Sequence, residues 1–375
     1  MRLYTKIILL LLWGLVISCD QDDNGVPVIE ESEQILPRIA VIGDDLTTGS
    51  RFNLVEWTAS YEEIAIINLQ ETIDFEFGFL QNTIGTELAF ALDFPISSYL
   101  FYDVPTGGMR SITDFFNPEN ATNNSYTINT DQSLLTYYLE DASTCCEIYL
   151  QTFAQTTGAT TEVYLGNADI TPVQLNVFAS GTRSFAIAVD TFTGVRNLYV
   201  TDAEDGTRLG ILDVSDYGGF MYNDIRDEMY LFNFNGAALT HVVLDIGTFT
   251  TSEISTFPLG LSVSEGFNKA QFSQNEIAFK GFNGIVTSIY SFDTDTISTY
   301  DSTDLINKIF LETGRGLSLT NTAINFDTST YIVTGTYMEN NEMLGLVVIM
   351  SLDKDVLLTL ETGIVRPQQV IFLNE

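Results

Sequence analysis

Tyr230-Leu-Phe-Asn-Phe-Asn-Gly-Ala-Ala-Leu-Thr-His-Val-Val-Leu-Asp-Ile-Gly-Thr-Phe-Thr250 contains an apolar strand, a turn, a second alternating strand and an acidic turn. Alternation of apolar and polar residues predicts strands that are buried on at least one face. Asp can hydrogen-bond within its own turn and Gly tolerates a positive φ, so the turn at Asp245 to Gly247 has a physical basis. Variants of this unit recur along most of the chain.

The repeated unit is predicted to contain four short strands. Its second strand is the easiest to recognise because it is the most apolar. Second strands begin near Ile39, Leu88, Leu135, Phe185, Tyr230, Ile277 and Tyr331. The spacing is about 45 to 54 residues, which is typical of the blades of a β-propeller. We therefore predict an all-β fold, a propeller of seven four-stranded blades, with six or eight blades as alternatives.

The two ends of the repeat predict how the ring closes. The unit that begins at Ile39 has no first strand before it, whereas Gln368-Gln-Val-Ile-Phe-Leu-Asn374 resembles a first strand with no unit after it. We expect this C-terminal strand to become the innermost strand of the first blade. Such closure removes free sheet edges, which would otherwise promote aggregation.

The amino-acid composition agrees with a β protein. The chain has 375 residues, of which 45% are hydrophobic, and it contains 26 Phe and 17 Tyr. Aromatic and β-branched residues favour strands. The longest connection, from Asp301 to Leu317, is predicted to contain one short amphipathic helix, because Leu305, Ile306, Ile309 and Phe310 follow helical spacing.

The net charge excludes one class of partner. There are 15 Lys and Arg against 50 Asp and Glu, a formal net charge of -35. Removal of a leader containing Arg2 and Lys6 would change this to about -37 (-35 minus 2). A field of this sign repels phosphate backbones, so nucleic acid is not expected as a partner. The acidity is interpreted as keeping the surface soluble; the alternative is affinity for cations or a basic partner.

The N-terminus has the pattern of a secretory leader. Arg2 and Lys6 precede an apolar run from Ile7 to Ile17, which is too short to span a bilayer. The run ends in Val16-Ile17-Ser18-Cys19, which resembles the lipobox of bacterial lipoproteins. This resemblance implies a signal peptide over 1–18 and lipidation of Cys19. The remaining alternative is an ordinary leader with an incidental Cys.

The residues after Cys19 are acidic and polar. They resemble the surface-export signals of lipoproteins from the Bacteroidota, which implies an outer-membrane protein that faces the cell exterior. We interpret 19–37 as the lipidated Cys and a flexible tether, and 38–375 as a monomeric propeller domain. The domain resembles bacterial β-propeller lipoproteins in general, and the Trp-Asp signature of one propeller class is absent from the sequence.

One motif in the tether matches a calcium-binding pattern. Asp20, Asp22, Asn24 and Gly25, followed by Glu31, satisfy the spacing of an EF-hand loop. Such a loop needs a helix on each side, and Pro27 lies inside this one. We therefore expect no metal site and no cofactor, although Asp-x-Asp turns elsewhere leave calcium as an alternative.

Few residues suggest catalysis. His241 is the single histidine, and no Gly-x-Ser-x-Gly elbow accompanies it. Cys145 and Cys146 are adjacent, so a disulfide between them would close a strained ring; two separate thiols are the alternative. We assign no catalytic residue.

Ligands of propellers usually bind at a mouth of the central channel, on connections between blades. These connections contain an aromatic and cationic set, namely Tyr217, Phe220, Phe267, Lys269 and Arg315. Aromatic faces suit sugar rings, and Lys or Arg would bind carboxylates. We predict a binding or scaffolding module for a glycan, peptide or protein partner. The alternative function is an extracytoplasmic hydrolase or lyase that uses carboxylates, with or without calcium.

Overall fold

The computed structural model describes residues 35–73, 79–93, 96–116, 126–140, 147–167, 173–190, 194–235, 238–258, 266–267, 270–280 and 285–373. The chain separates into a unit from Met1 to Leu36, nearly all of it outside these ranges, and a compact unit from Pro37 to Glu375.

The first half of the second unit contains four sheets. Their strands are β1 (Ile39–Asp45), β2 (Asn53–Trp57) and β3 (Ile64–Asn68) in blade 1; β4 (Phe79–Ile84), β5 (Glu87–Ala91), β6 (Tyr99–Asp103) and β7 (Gly108–Ile112) in blade 2; β8 (Tyr126–Asn129), β9 (Ser133–Glu140), β10 (Glu147–Ala154) and β11 (Thr160–Asn167) in blade 3; and β12 (Val173–Ser180), β13 (Arg183–Asp190), β14 (Arg196–Asp202) and β15 (Arg208–Asp213) in blade 4.

Three more sheets follow, and the last strand of the chain returns to blade 1. These strands are β16 (Gly219–Asn223), β17 (Glu228–Asn235), β18 (Ala238–Asp245), β19 (Thr250–Pro258) and β20 (Gly266–Phe267) in blade 5; β21 (Gln271–Phe272), β22 (Glu276–Lys280), β23 (Val286–Ser291) and β24 (Thr296–Thr299) in blade 6; β25 (Ser318–Asn325), β26 (Thr330–Glu339), β27 (Glu342–Ser351) and β28 (Val356–Gly363) in blade 7; and β29 (Val365–Phe372) in blade 1.

The molecule is a β-propeller of seven blades, as the repeat predicts. In blades 2 to 7 four consecutive strands pair in chain order as antiparallel neighbours. In these six blades the first strand is the inner one and lines the central channel. The alternatives of six and eight blades are wrong.

Ring closure follows the predicted arrangement. Strand β29 pairs antiparallel with β1, with Ile39 opposite Phe372 at one end and Asp45 opposite Val365 at the other. The order of blade 1 is therefore β29-β1-β2-β3, with the C-terminal strand innermost. The ladder has an irregularity between Ile42 and Gly43, next to the channel.

Burial explains why the second strands are the clearest markers in the sequence. Each second strand lies between neighbours in its own sheet and between two adjacent blades. In β9 every residue except the last is buried, whereas the outer strand β11 is mostly exposed. Apolar clusters fill the spaces between neighbouring blades, such as the cluster around Phe185, Leu231 and Leu244 between blades 4 and 5. Burial of each such side chain contributes about 1.5 to 3 kcal/mol.

The turns show the expected chemistry. A side-chain oxygen of Asp245 accepts a hydrogen bond from the backbone N–H of Thr248 at 2.7 Å. Asp45 accepts equivalent bonds from Thr47 and Thr48, each at 2.7 Å. The backbone N–H of Thr48 is the main cause that holds the pKa of Asp45 below its ordinary value.

Two helices are described, α1 (Leu69–Ile73) and α2 (Ser302–Thr313). The predicted helix in the longest connection is therefore present as α2. Asp301 caps its N-terminus by accepting a bond from the N–H of Thr303 at 2.6 Å, and Gly314 ends it with φ 74°. Leu305 and Ile309 are buried. Neither described helix has the length and apolar character that crossing a bilayer requires.

Candidate functional site

The strand directions define two faces of the ring. Inner strands begin, and second strands end, on the face that carries the connections between blades; we call this the upper face. The turns between first and second strands, and between third and fourth strands, lie on the opposite or lower face. Each face carries a cavity at or near the channel.

The upper cavity has a volume of about 820 Å³ and extends from the upper face along the inner strands. Strands β29, β1, β21 and β25 contribute to its wall. Its charged and amide-bearing lining residues are Asp44, Arg51, Gln271, Lys280, Asn321, Arg366, Gln368 and Gln369. These residues come from blades 1, 6 and 7, so ring closure builds the cavity.

Hydrogen bonds hold one side of the upper cavity in place. Asp44 Oδ2 accepts bonds from Arg366 Nη2 at 2.8 Å and from Gln368 Nε2 at 2.6 Å. The carbonyl oxygen of Gln368 accepts a bond from Asn321 Nδ2 at 2.6 Å, which links blade 1 to blade 7. Asp44 therefore orients both an arginine and an amide of the inner strand.

The charge of the upper cavity is opposite to that of the whole chain. Three of the 15 Lys and Arg residues line it, but only one of the 50 Asp and Glu residues is found among its described lining. The ion pair between Arg366 and Asp44 uses the one described carboxylate of the lining, and Arg51 adds a further positive charge to it. Arg51 forms no ion pair with any residue in the ranges that the structure describes. A carboxylate ligand would be attracted here.

Strand β20 adds a fifth strand at the channel edge of blade 5. It pairs parallel with β16, and the partners are Gly219 with Gly266 and Phe220 with Phe267. Strand β20 also lies near β12 of blade 4. The described part of the connection between blades 5 and 6, Gly266–Phe267, therefore lies at the channel edge.

The lower cavity has a volume of about 500 Å³ and is acidic. The turns of blades 3, 4 and 5 form most of its wall. Its charged lining residues, among those described, are Asp131, Asp202, Glu204 and Asp224. The two cavities thus have opposite charge.

Two of the predicted mouth residues take part in packing between blades. Phe220 is only 1% exposed and belongs to the cluster between blades 4 and 5. Tyr217 is half-buried against the same cluster, and its carbonyl oxygen accepts a bond from Arg196 Nη1 at 2.8 Å. Neither lines the upper cavity.

Arg315 lies after α2 and has partners of its own. Its Nη2 donates to Glu361 Oε1, and its guanidinium lies 4.6 Å from the centre of the Tyr337 ring. Phe267 belongs to β20, and its backbone lies opposite that of Phe220 in β16. Lys269, Cys19, Cys145 and Cys146 lie outside the described residues.

His241 lies in β18 with Phe232 and Ser255 as its strand partners. Within the described ranges, no three His, Cys, Asp or Glu side chains are arranged to hold a metal ion. The sequence prediction missed the upper cavity because its charged residues lie on second strands, inner strands and a turn within a blade. The one available signal was ring closure, which brings Arg366 beside Asp44.

Comparisons with known proteins yield structural likeness alone. No protein-family model matches this sequence, and no curated protein sequence matches it. A quinonprotein alcohol dehydrogenase-like protein from Bacteroides thetaiotaomicron has a similar structure, with 13% identity, a TM-score of 0.49 and coverage of 90% of this chain and 78% of that one.

Two further solved structures are similar over much of the chain. A 6-phosphogluconolactonase, described as putative, from Bacteroides fragilis has 12% identity, a TM-score of 0.48 and coverage of 90% of this chain and 98% of the other. An oligogalacturonate lyase in complex with manganese has 10% identity, a TM-score of 0.45 and coverage of 76% and 79%. At these values the likenesses carry no inference about activity or ligand.

Proposed function

We propose that this protein is a binding module of the bacterial cell envelope, and that its upper cavity takes an acidic glycan. Lipidation of Cys19 would anchor it to the outer membrane, with the propeller facing the cell exterior. The glycan would carry carboxylates, as uronic-acid sugars do. This proposal narrows the wider class of glycan, peptide and protein partners that the sequence suggests.

The observation that supports this proposal best is the reversal of charge in the upper cavity. A chain with a net charge of -35 repels anions over most of its surface. Arg51, Lys280 and Arg366 meet a single described carboxylate in this cavity. Arginine binds carboxylates through paired N–H donors, so the arrangement favours an anionic group over a neutral one.

The amide side chains of the lining suit the rest of a sugar. Gln271, Asn321 and Gln368 border the cavity along three inner strands. Each of these amides already bonds within the protein: Gln271 to the backbone of Ile324, Asn321 to Gln368 O and Thr322 N, and Gln368 to Asp44. These bonds hold the amides in place, and the second N–H and second oxygen lone pair of each amide are what a sugar hydroxyl group would use. The volume of about 820 Å³ lies within the range of small-molecule sites, about 300 to 1,000 Å³.

Thermal melting of the full chain with a panel of oligosaccharides tests the proposal. A uronic-acid oligosaccharide at 100 times its dissociation constant should stabilise the protein by about 2.7 kcal/mol and raise its melting temperature. A neutral oligosaccharide of the same length should have no effect at that concentration. An acidic peptide in the same panel tests whether any carboxylate suffices.

Variants in which charged side chains are replaced by neutral ones show whether the acidic sugar binds in the upper cavity. The double variant Arg51→Gln and Lys280→Gln should lose the response to the acidic sugar. Lys308→Gln with Lys354→Gln removes the same charge outside the described lining of the cavity and should keep the response. Equal responses in both double variants, or no response in the unmodified chain, would reject the proposal.

The lipid anchor has a separate test. The Cys19→Ala variant should leave the membrane fraction and appear in the soluble fraction. Cys145→Ala provides a control with the same substitution elsewhere, and it should stay with the membrane. Persistence of the Cys19→Ala variant in the membrane fraction would refute the anchor without bearing on the cavity.

A further inference from the structure

The lower cavity combines separate carboxylates with a short apolar wall. Asp131 lies in the turn after β8 and Asp224 in the turn after β16, while Asp202 is the last residue of β14 and Glu204 lies in the turn that follows it. Arg183 approaches Asp202 at 3.6 Å from outside the lining and is also bound to Asp227 at 2.9 Å. No Lys or Arg is found among the described residues that line the cavity.

Buried amides with unused hydrogen-bonding atoms border the same cavity. Asn129 is 3% exposed, and neither its Oδ1 nor its Nδ2 has a hydrogen-bond partner among the described residues. The Oδ1 of Asn82 is also buried and unpartnered, although its Nδ2 donates to the carbonyl oxygen of Asn129 at 3.2 Å. Buried polar atoms of this kind are rare in native proteins and call for a partner. Two acceptor oxygens that have no donor among the described residues, those of Asn82 and Asn129, thus lie beside four carboxylates.

We propose that the lower cavity binds a linear polyamine. The four carboxylates lie in three turns or at the strand end beside one of them, and no three of the acidic groups are arranged to hold a metal ion within the described part of the chain. A polyamine carries ammonium groups separated by several methylenes, so one molecule can reach carboxylates that lie apart. Each terminal ammonium offers three N–H donors, and each internal ammonium offers two.

The apolar part of the lining fits the methylene segments of such a ligand. Ile84, Ala179 and Ala203 border the cavity between the acidic turns. Asp224 is oriented by Ser180, whose Oγ donates to Asp224 Oδ2 at 2.8 Å. A second Asp224 oxygen remains for an ammonium group. This proposal does not depend on the upper cavity, which has the opposite charge.

Titration calorimetry of the full chain with spermidine tests the inference. The buffer should contain 0.15 M salt, because the diffuse field of an acidic protein is then screened beyond about 8 Å whereas contacts within a cavity persist. We expect saturable binding of one spermidine per chain and weaker binding of the diamine putrescine. Mg²⁺ at the same concentration should produce no saturable heat.

A matched pair of variants separates the cavity from the general acidity of the chain. Asp131→Asn with Glu204→Gln should weaken spermidine binding at least about tenfold. Glu339→Gln with Glu342→Gln removes the same charge from an exposed hairpin of blade 7 and should leave binding unchanged. Thermal melting of both variants establishes that they are folded.

A third variant addresses the buried amide directly. Asn129→Leu keeps a similar volume without polar atoms, so it should weaken spermidine binding while preserving or raising the melting temperature. Absence of saturable binding to the unmodified chain would overturn the proposal. Equal weakening of spermidine binding by the two double variants would also overturn the proposal, because binding would then follow the net charge of the chain alone.

Discussion

Arg366 Nη2 donates a hydrogen bond to Asp44 Oδ2 at 2.8 Å, although 322 residues separate the two in the chain. This pair joins the C-terminal strand β29 to β1, which is its neighbour in the same blade. It also lies in the wall of the upper cavity. The pairing of β29 with β1 therefore both closes the ring and forms part of the wall of the candidate site.

Removal of residues 368–375 should abolish cooperative folding. The deletion takes away the strand partners of Ile39, Ala40, Val41 and Ile42. It also removes Ile371, which is 2% exposed, and burial of such a side chain contributes about 1.5 to 3 kcal/mol. Domains have about 5 to 15 kcal/mol of total stability, so losing most of an inner strand should exceed what the fold tolerates.

Circular dichroism melting and size-exclusion chromatography measure this outcome. Deletion of residues 374–375 alone serves as the control and should melt like the full chain. A chain lacking 368–375 that melts at an unchanged temperature would show that closure by the C-terminal strand contributes nothing to stability.

Gly43→Ala should destabilise the same junction. A Cβ at this position would lie 2.0 Å from the carbonyl oxygen of Arg366, at the irregularity of the β1–β29 ladder. Two backbones would have to move apart, and overpacking of this kind costs about 1 to 3 kcal/mol. Urea unfolding should show a lower midpoint with an unchanged slope.

Gly316→Ala is the matched control for that substitution. Nothing lies within 4 Å of a Cβ built at Gly316, and its φ is not positive. Its stability should be unchanged or slightly raised, because Ala restricts the unfolded chain. If Gly43→Ala were as stable as this control, the close approach of β1 to β29 would not matter energetically.

The blades could be predicted from the sequence because their second strands are buried on both sides. Such strands are rich in apolar and aromatic residues and are buried over most of their length, as in β9 and β26, and they recur at a regular spacing. Closure could also be predicted, because the strand near Gln368 has the pattern of a first strand without a blade to follow it. The position of β29 in blade 1 confirms this prediction.

The candidate site was harder to predict from the sequence. Phe220 stands at the start of an inner strand, and an aromatic residue there gives the same pattern whether it faces the channel or the next blade. The structure places it in the core between blades 4 and 5. The residues of the upper cavity come from opposite ends of the chain, so no local pattern groups them.

Tyr137→Phe should weaken the interface between blades 3 and 4. The Tyr137 hydroxyl lies 2.7 Å from Ser184 Oγ and 3.0 Å from Thr201 Oγ1, and both partners are fully buried. Loss of a buried hydrogen-bonding partner costs about 1 to 3 kcal/mol, and the lower part of this range applies because Ser184 and Thr201 still bond to each other at 2.5 Å. Burial also raises the pKa of Tyr137 to about 12, so this hydroxyl stays protonated at neutral pH.

Denaturant unfolding of Tyr137→Phe and Tyr164→Phe measures this contribution. Tyr164 is 45% exposed and its hydroxyl donates to Asn167 Oδ1 at 2.6 Å, so its loss should cost less than about 0.5 kcal/mol. Equal midpoints for the two variants would contradict a stabilising role for the buried hydroxyl cluster.

The charge of Asp227 should make the contribution of the junction between blades 4 and 5 to the unfolding free energy depend on pH. Arg183 donates to it from Nε at 3.2 Å and from Nη2 at 2.9 Å, and Tyr222 donates its hydroxyl at 2.7 Å. Burial raises the pKa of Asp227, but the bonds from Arg183 and Tyr222 outweigh it, so the pKa lies below its ordinary value of 3.8. A depressed pKa means that the contribution is complete above the unfolded-state pKa and is lost as pH falls through the folded-state value.

Asp227→Asn tests this by comparison of unfolding free energies from pH 7 to pH 2. Because 38% of the Asp227 side chain is exposed and solvent screens the pair, we expect a loss of only about 1 kcal/mol at pH 7. The difference from the unmodified protein should persist to about pH 5 and shrink once the pH falls below about 4, because both proteins then carry an uncharged group at this position. A difference that stayed constant down to pH 2 would mean that the substitution acts through packing, not through the charge of Asp227.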